Sequence, residues 1–148
     1  MTSYVDFSQM EVGDLLPALK KNPITKVQLV RYAGASGDFN PLHTDDAEAQ
    51  KAGLKGVIAH GPLIMGFVGQ AITRWVPKRF LKRISVRFRG MCLPGDEITV
   101  SGTIVAKAKE GDNLRVICDT EAKDQKAEIK ISGQFEVLCP ITKKAIFI

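Results

Sequence analysis

The sequence predicts an α+β fold in which an antiparallel sheet wraps around one central helix. Three observations carry that reading. From Leu81 onward apolar and polar residues alternate with a period of two in four separate segments, the mark of half-buried strands. One earlier segment, Pro62 to Trp75, is apolar on nearly every side, as a buried helix is. The helical patterns precede the strand patterns, so the strands have no crossover helices between them and the sheet has one apolar face for the central helix to fill.

The elements follow in chain order. Val12-Gly13-Asp14 and Pro17 punctuate a turn-rich opening that leads into a short strand near Leu15 to Leu19. Thr25 is placed as the N-cap of a first helix carrying Val27, Val30, Tyr32 and Ala33, with Gly34 and Gly37 as its stop. A loop from Ser36 to His43 comes next. Thr44-Asp45-Asp46 then starts a short helix, with Glu48 spaced for a capping box, that runs to about Ala52 and ends at Gly53. Pro62 is placed as the first residue of the central helix, where Gly66, Gly69 and Ala71 let neighbouring backbone approach. The strands centre on Ile84-Val86-Phe88, Ile98-Val100-Ile104, Leu114-Val116-Cys118 and Ile129-Ile131-Phe135-Val137. Their connections, Leu93-Pro94-Gly95-Asp96, Glu110-Gly111-Asp112-Asn113 and Lys123-Asp124-Gln125, are polar turns of the kind that join antiparallel neighbours. Such a sheet has open edges, and edge pairing of two protomers is the expected remedy, which predicts a dimer.

A chain of 148 residues, 45% hydrophobic and 25% charged, is sized for one domain, expected to run from 1 to 148. The opening residues show neither a basic nor an apolar leader region, and no apolar run is long enough to span a bilayer, so a cytoplasmic protein is expected and a membrane is not. Cys92, Cys118 and Cys139 are odd in number and widely spaced, and read as reduced structural thiols. The net charge of +5 favours an anionic partner. Basic residues gather from Arg74 to Arg89, but no helix-turn-helix, zinc-finger or aromatic strand motif accompanies them, so nucleic acid is not expected.

The chemistry concentrates in Ser36-Gly37-Asp38-Phe39-Asn40-Pro41-Leu42-His43, which sets a carboxylate five residues before an imidazole. Pro41 biases Asn40 away from helical dihedrals, so a turn and not a helix face must bring Asp38 to His43. A carboxylate and an imidazole together can take and give a water's protons. There is no Gly-x-Ser-x-Gly elbow for acyl transfer, and His60 lacks ligand spacing, so neither a serine nucleophile nor a metal is expected. The backbone N–H groups at the start of the Pro62 helix carry partial positive charge, and Gly61 has no side chain to obstruct approach, so a carbonyl oxygen that gains negative charge would be stabilised there. Together the two pieces suit addition or removal of water β to a carbonyl. The residues alone leave a second reading open: Asp38 capping a plain turn, with His43 a hydrogen-bonded surface residue. His60 reads as structural, bonded to loop backbone, and Gly66 and Gly69 as packing contacts.

The run Tyr32 to His43, followed by Ala59-His60-Gly61, closely resembles the hydratase 2 motif of MaoC-like dehydratases, the (R)-specific enoyl-CoA hydratases with a hot-dog fold. The similarity extends to Val12-Gly13-Asp14 and to Leu93-Pro94-Gly95-Asp96-Glu97. The resemblance implies a single hot-dog domain and a hydro-lyase that reversibly hydrates trans-2-enoyl thioesters to (R)-3-hydroxyacyl thioesters. Asp38 and His43 would hold the catalytic water, Asn40 would orient the loop and the Gly61 N–H would bind the thioester carbonyl. Arg79, Arg83 and Arg87 would meet coenzyme A phosphates. No cofactor is implied beyond the coenzyme A or acyl carrier protein that carries the substrate. A homodimer is implied, with a heteromer as the other arrangement. The alternatives are a 3-hydroxyacyl dehydratase subunit acting on acyl carrier protein, and a non-catalytic subunit that binds acyl thioesters. Gly69 and Pro62 depart from residues frequent in the family, which leaves acyl length open.

Overall fold

The computed structural model describes residues 4–141, so the expected domain limits at 1 and 148 lie outside the described residues. Within them, strands β1 (Leu15–Lys20), β2 (Leu81–Phe88), β3 (Thr99–Glu110), β4 (Asn113–Lys123) and β5 (Ile129–Pro140) form one antiparallel sheet in the order β1-β3-β4-β5-β2. Helices α1 (Lys26–Ser36), α2 (Asp46–Lys51) and α3 (Gly61–Trp75) lie in sequence between β1 and β2. The sheet wraps α3, whose Ile64, Phe67, Val68, Ala71, Ile72 and Trp75 share one core with Val100, Ile104, Val116, Cys118, Phe135 and Val137 of the strands. This is the hot-dog arrangement. No helix among the described residues is long and apolar enough to cross a membrane.

The first two helices begin where their caps place them. Thr25 accepts from the Gln28 N–H and starts α1, which runs through Gly34 and ends at Gly37, a left-handed residue with φ 76°. The helix packs through Leu29 and Ala33, one turn apart, and leaves Val27 and Val30 exposed. Asp45 caps α2 by accepting from the Ala47 and Glu48 N–H groups. The expected capping box does not close, because the Asp45 N–H donates to the Pro41 carbonyl and Glu48 pairs with Lys51.

Helix α3 differs from expectation in two respects. It starts at Gly61, with Pro62 second, a position whose N–H has no intrahelical acceptor in any helix. It is buried on the sheet side alone: Met65 and Gly66 are exposed, and a Cβ at Gly66 or Gly69 would meet nothing within 4 Å, so these glycines are not close-approach contacts.

The strands run longer than their apolar centres, and two expectations about them fail. Among the described residues strand β2 is an edge strand paired only with β5, so it is not half-buried, and Ile84 and Phe88 stand exposed. The turn Leu93–Asp96 does not join neighbours, since β2 and β3 are separated by β5 and β4. The connection instead passes the start of α3, where the Ala59 N–H donates to the Cys92 carbonyl at 2.8 Å. The Glu110–Asn113 turn does close a hairpin, with Gly111 at φ 60°. At the start of β5 the register shifts against β4, so Lys130, expected on the outer face, is turned inward and buried while Ile129 is exposed.

Candidate active site

The loop after α1 is built by its own side chains. Ser36 Oγ accepts from the Asp38 N–H at 3.2 Å and donates to the Tyr32 carbonyl at 2.7 Å. Asp38 Oδ1 accepts from the Asn40 N–H at 3.2 Å, and Asn40 Oδ1 accepts from the Leu42 N–H at 3.1 Å, capping a single 3-10 turn over Pro41–His43. Asn40 thus shapes the loop. With its φ fixed and no N–H, Pro41 fits the first position of that turn, which swings His43 back toward Asp38.

His43 is held from the other side by the segment that leads into α3. Its Nδ1 lies 2.8 Å from the Ile58 carbonyl, and a carbonyl only accepts, so Nδ1 carries the proton. In the neutral ring Nε2 is then a bare lone pair, and it faces Asp38 Oδ2 at 3.8 Å. Asp46 of α2 and the turn fix this segment: Asp46 accepts from the Val57 N–H at 3.0 Å, and the Ile58 N–H donates to the Leu42 carbonyl at 3.0 Å. Lys26 of α1 pairs with the same Asp46 carboxylate.

At 3.8 Å the two atoms are too distant for one direct hydrogen bond. A water at ordinary hydrogen-bond length, about 2.8 Å, reaches both and donates one hydrogen to each.

His43 and Gly61 both line a pocket of about 460 Å³, with Ile64, Phe88, Cys92 and Ile131 as apolar wall and Arg89 and Lys130 as its cations. Asp38 is not part of that lining; its carboxylate is about half exposed, beside His43. Among the described residues the Gly61 N–H has no acceptor, and Gly61 both opens a 15-residue helix and lines the pocket, so the positive end of the helix dipole lies at the pocket wall. A Cβ at Gly61 would sit 3.1 Å from the exposed Phe88 ring, so a larger residue there would have to push that ring aside. Burial, partly opposed by Lys130, pushes the Cys92 thiol up to about 11, so it stays protonated at neutral pH and is no nucleophile.

His60 is fully buried. Its Nε2–H donates to the Asp38 carbonyl at 3.2 Å, so it is bonded to loop backbone as the sequence indicated. The sequence did not indicate that its ring stacks on His43, with centroids 3.8 Å apart, or that the Tyr32 ring lies tilted against it at 4.9 Å. Donor atoms of Asp38, His43 and His60 lie within 4.8 Å of one another. Stacked rings, however, aim their lone pairs side by side, not at one point, and His60 Nε2 is committed to the Asp38 carbonyl. The geometry suits proton transfer better than ligation.

The three arginines read as phosphate contacts lie elsewhere in the protomer. Arg83 and Arg87 line a groove of about 500 Å³ on the outer face of the sheet, together with Asp119, Glu121 and Glu136. Arg79 sits in the 3-10 turn before β2, its guanidinium 4.8 Å from the Phe80 ring. The pocket cations are Arg89, which the sequence reading placed only within a basic run, and Lys130, which alternation assigned to the outer face.

Comparison with known proteins follows the same lines. In sequence the chain is similar to a fatty acid synthase subunit beta of Gibberella zeae, 32% identical over 92% of this chain but only 6% of that subunit. It is also similar to an (R)-specific enoyl-CoA hydratase of Rhodospirillum rubrum, 27% identical over 79% of this chain and 81% of the relative. In structure it resembles an unliganded R-hydratase from Pseudomonas aeruginosa, with a TM-score of 0.79 and 27% identity over 94% of this chain and 88% of the other. The profile of the family described as "MaoC like domain" matches residues 8–127, which hold the loop, the turn and the start of α3, and the chain therefore belongs to the MaoC-like domain family.

Proposed function

We propose that this chain is a hydro-lyase that adds water to trans-2-enoyl-CoA, giving the (R)-3-hydroxyacyl thioester, and that runs in reverse as a dehydratase. The observation that carries the reading is the meeting of Asp38 Oδ2 and His43 Nε2 at 3.8 Å beside a pocket lined by His43 and by Gly61, the first residue of α3. The thioester carbonyl accepts from that N–H, and the acyl chain lies along the apolar wall by Ile64 and Ile131. Water held by Asp38 and His43 attacks the β-carbon and gives up one proton to the pair. Negative charge moves to the carbonyl oxygen at Gly61, and a proton from the pair goes to the α-carbon. One water is added and no electrons are exchanged, so the reaction includes no redox cofactor, and the proposal includes no metal.

Acid–base help of this kind is worth ~10²–10⁴-fold and an oxyanion donor ~10²–10³-fold. The hydratase and R-hydratase names of two proteins similar to this one support the reaction and its stereochemistry. The protein is proposed to work in the cytoplasm as a homodimer joined at the free edge of β2, where Ile84 and Phe88 are exposed.

The test is the loss of enoyl absorbance with crotonyl-CoA as substrate. Asp38→Asn and His43→Gln should each lower kcat by about 10²-fold or more while the circular dichroism spectrum is unchanged. Near wild-type turnover in either variant defeats the mechanism. Faster turnover of the same acyl group on acyl carrier protein would move the assignment to the carrier-bound dehydratase.

A further inference from the structure

We infer that His60 is a positioning residue of the site, holding the carboxylate of Asp38 and the imidazole of His43 in register through one ring. The inference rests on the hydratase reading for its catalytic consequence, though not for its structural one. Asp38 and His43 belong to different pieces of backbone, a loop shaped by Ser36 and Asn40 and a 3-10 turn tied to Ile58. Their side chains do not bond each other directly at 3.8 Å, so something else must set the gap that the water spans. His60 touches both: Nε2–H donates to the Asp38 carbonyl at 3.2 Å, and the ring face lies on the His43 ring at 3.8 Å, tilted by 26°. It sits at the N-cap of α3, immediately before Gly61, without capping the helix itself. The donor to the carbonyl, the water-holding pair and the helix start are therefore fixed relative to one another by one residue.

A second observation separates this role from plain support. His60 Nδ1 is buried and has no hydrogen-bond partner among the described residues. With Nε2 carrying the proton, Nδ1 is an unsatisfied acceptor, which a fold does not retain for stability's sake. An apolar residue of similar size would remove that defect. The imidazole thus serves the loop and the neighbouring ring at some cost to the core.

The test compares His60→Leu, which removes the donor and the buried acceptor, with His60→Gln, whose amide nitrogen reaches the position of Nε2. The leucine variant should unfold within about 3 °C of wild type or higher, yet lower kcat for crotonyl-CoA by about 100-fold with KM within about threefold. The glutamine variant should recover about tenfold of that loss. Independently of any substrate, the amides of Asn40 and Leu42, which are bonded to the side chains of Asp38 and Asn40, should exchange about tenfold faster in the leucine variant and not in the glutamine one. Wild-type kcat in His60→Leu, equal losses in both variants, or unchanged exchange at Asn40 and Leu42 overturns the inference. A wild-type protein that hydrates no enoyl thioester defeats the hydratase reading, and the exchange rates still decide whether His60 holds the loop.

Discussion

Asp124 and Lys130, the second a lining residue of the pocket, form a buried ion pair at 3.1 Å, where a lone charge would be costly. Burial alone would raise the Asp124 carboxyl, but the Glu128 N–H, the Lys130 ammonium and the Lys126 N–H outweigh it and hold the group below the usual 3.8. Burial alone would likewise lower Lys130, and its bonds to Glu128 and Asp124 raise it instead. The signs then fix the pH dependence. A depressed carboxyl contributes stability above its unfolded value and loses it as pH falls through the folded one; a raised lysine contributes below its unfolded value and loses it in alkali. Stability from this pair should be level across neutrality and fall in acid below about pH 4. In urea titrations across pH, Asp124→Asn should cost about 3 kcal/mol at pH 7 and flatten the acid limb; an unchanged acid limb would show that other carboxylates control it. The Lys130 stem packs 3.4 Å from the place a Gly90 Cβ would take, so the pair also backs the chain that reaches Cys92. At this scale Asp38, Asn40, Pro41 and His43 were legible because a short loop fixes them locally. The inward turn of Lys130 was not, because a register shift against β4 is invisible in one strand's alternation.

Alternation identifies a strand without naming its partner, and that limit explains most of what the elements added. Ile84, Val86 and Phe88 alternate correctly, yet β2 lies at the margin of the sheet because β5 returns to pair with it while β3 pairs with β1 and β4. The residue that permits this edge pairing is Gly133 of β5, opposite Val86. A Cβ at Gly133 would lie 2.2 Å from the Ser85 carbonyl oxygen and 2.9 Å from Val86 Cα, both backbone atoms that no rotamer change can move. Gly133→Ala should therefore destabilise the fold by about 2–3 kcal/mol and loosen β2 first, seen as faster amide exchange along Arg83 to Phe88. A variant with wild-type stability and β2 protection would mean that the two strands can separate without loss. The same close contact at Gly61 is with the end of an exposed ring, which can swing aside, so crowding there is milder.

At the scale of the molecule, the outer edge of β2 has no strand partner among the described residues beside Ile84 and Phe88, and the proposed second copy covers it. Ile84→Lys should halve the mass measured by light scattering at micromolar concentration while leaving the fold intact; a wild type that is already monomeric there, or a variant of unchanged mass, rejects this edge as the interface. An α+β sheet wrapped around one helix was legible from helix-first, strands-later order and from the one helix apolar enough to be wrapped, and the motif resemblance implied its hot-dog form. The open side of α3 at Met65 and Gly66 was not, since an apolar sequence does not say which of its sides a neighbour reaches.

The ring of Phe88 belongs to that edge and also rests against Gly61. The proposed subunit association and the proposed carbonyl binding would therefore act on the same side chain from opposite directions, and linkage would make the effect mutual. If a second copy steadies Phe88, turnover per chain declines on dilution through the dissociation range, and a bound acyl thioester draws the subunits together by the same factor.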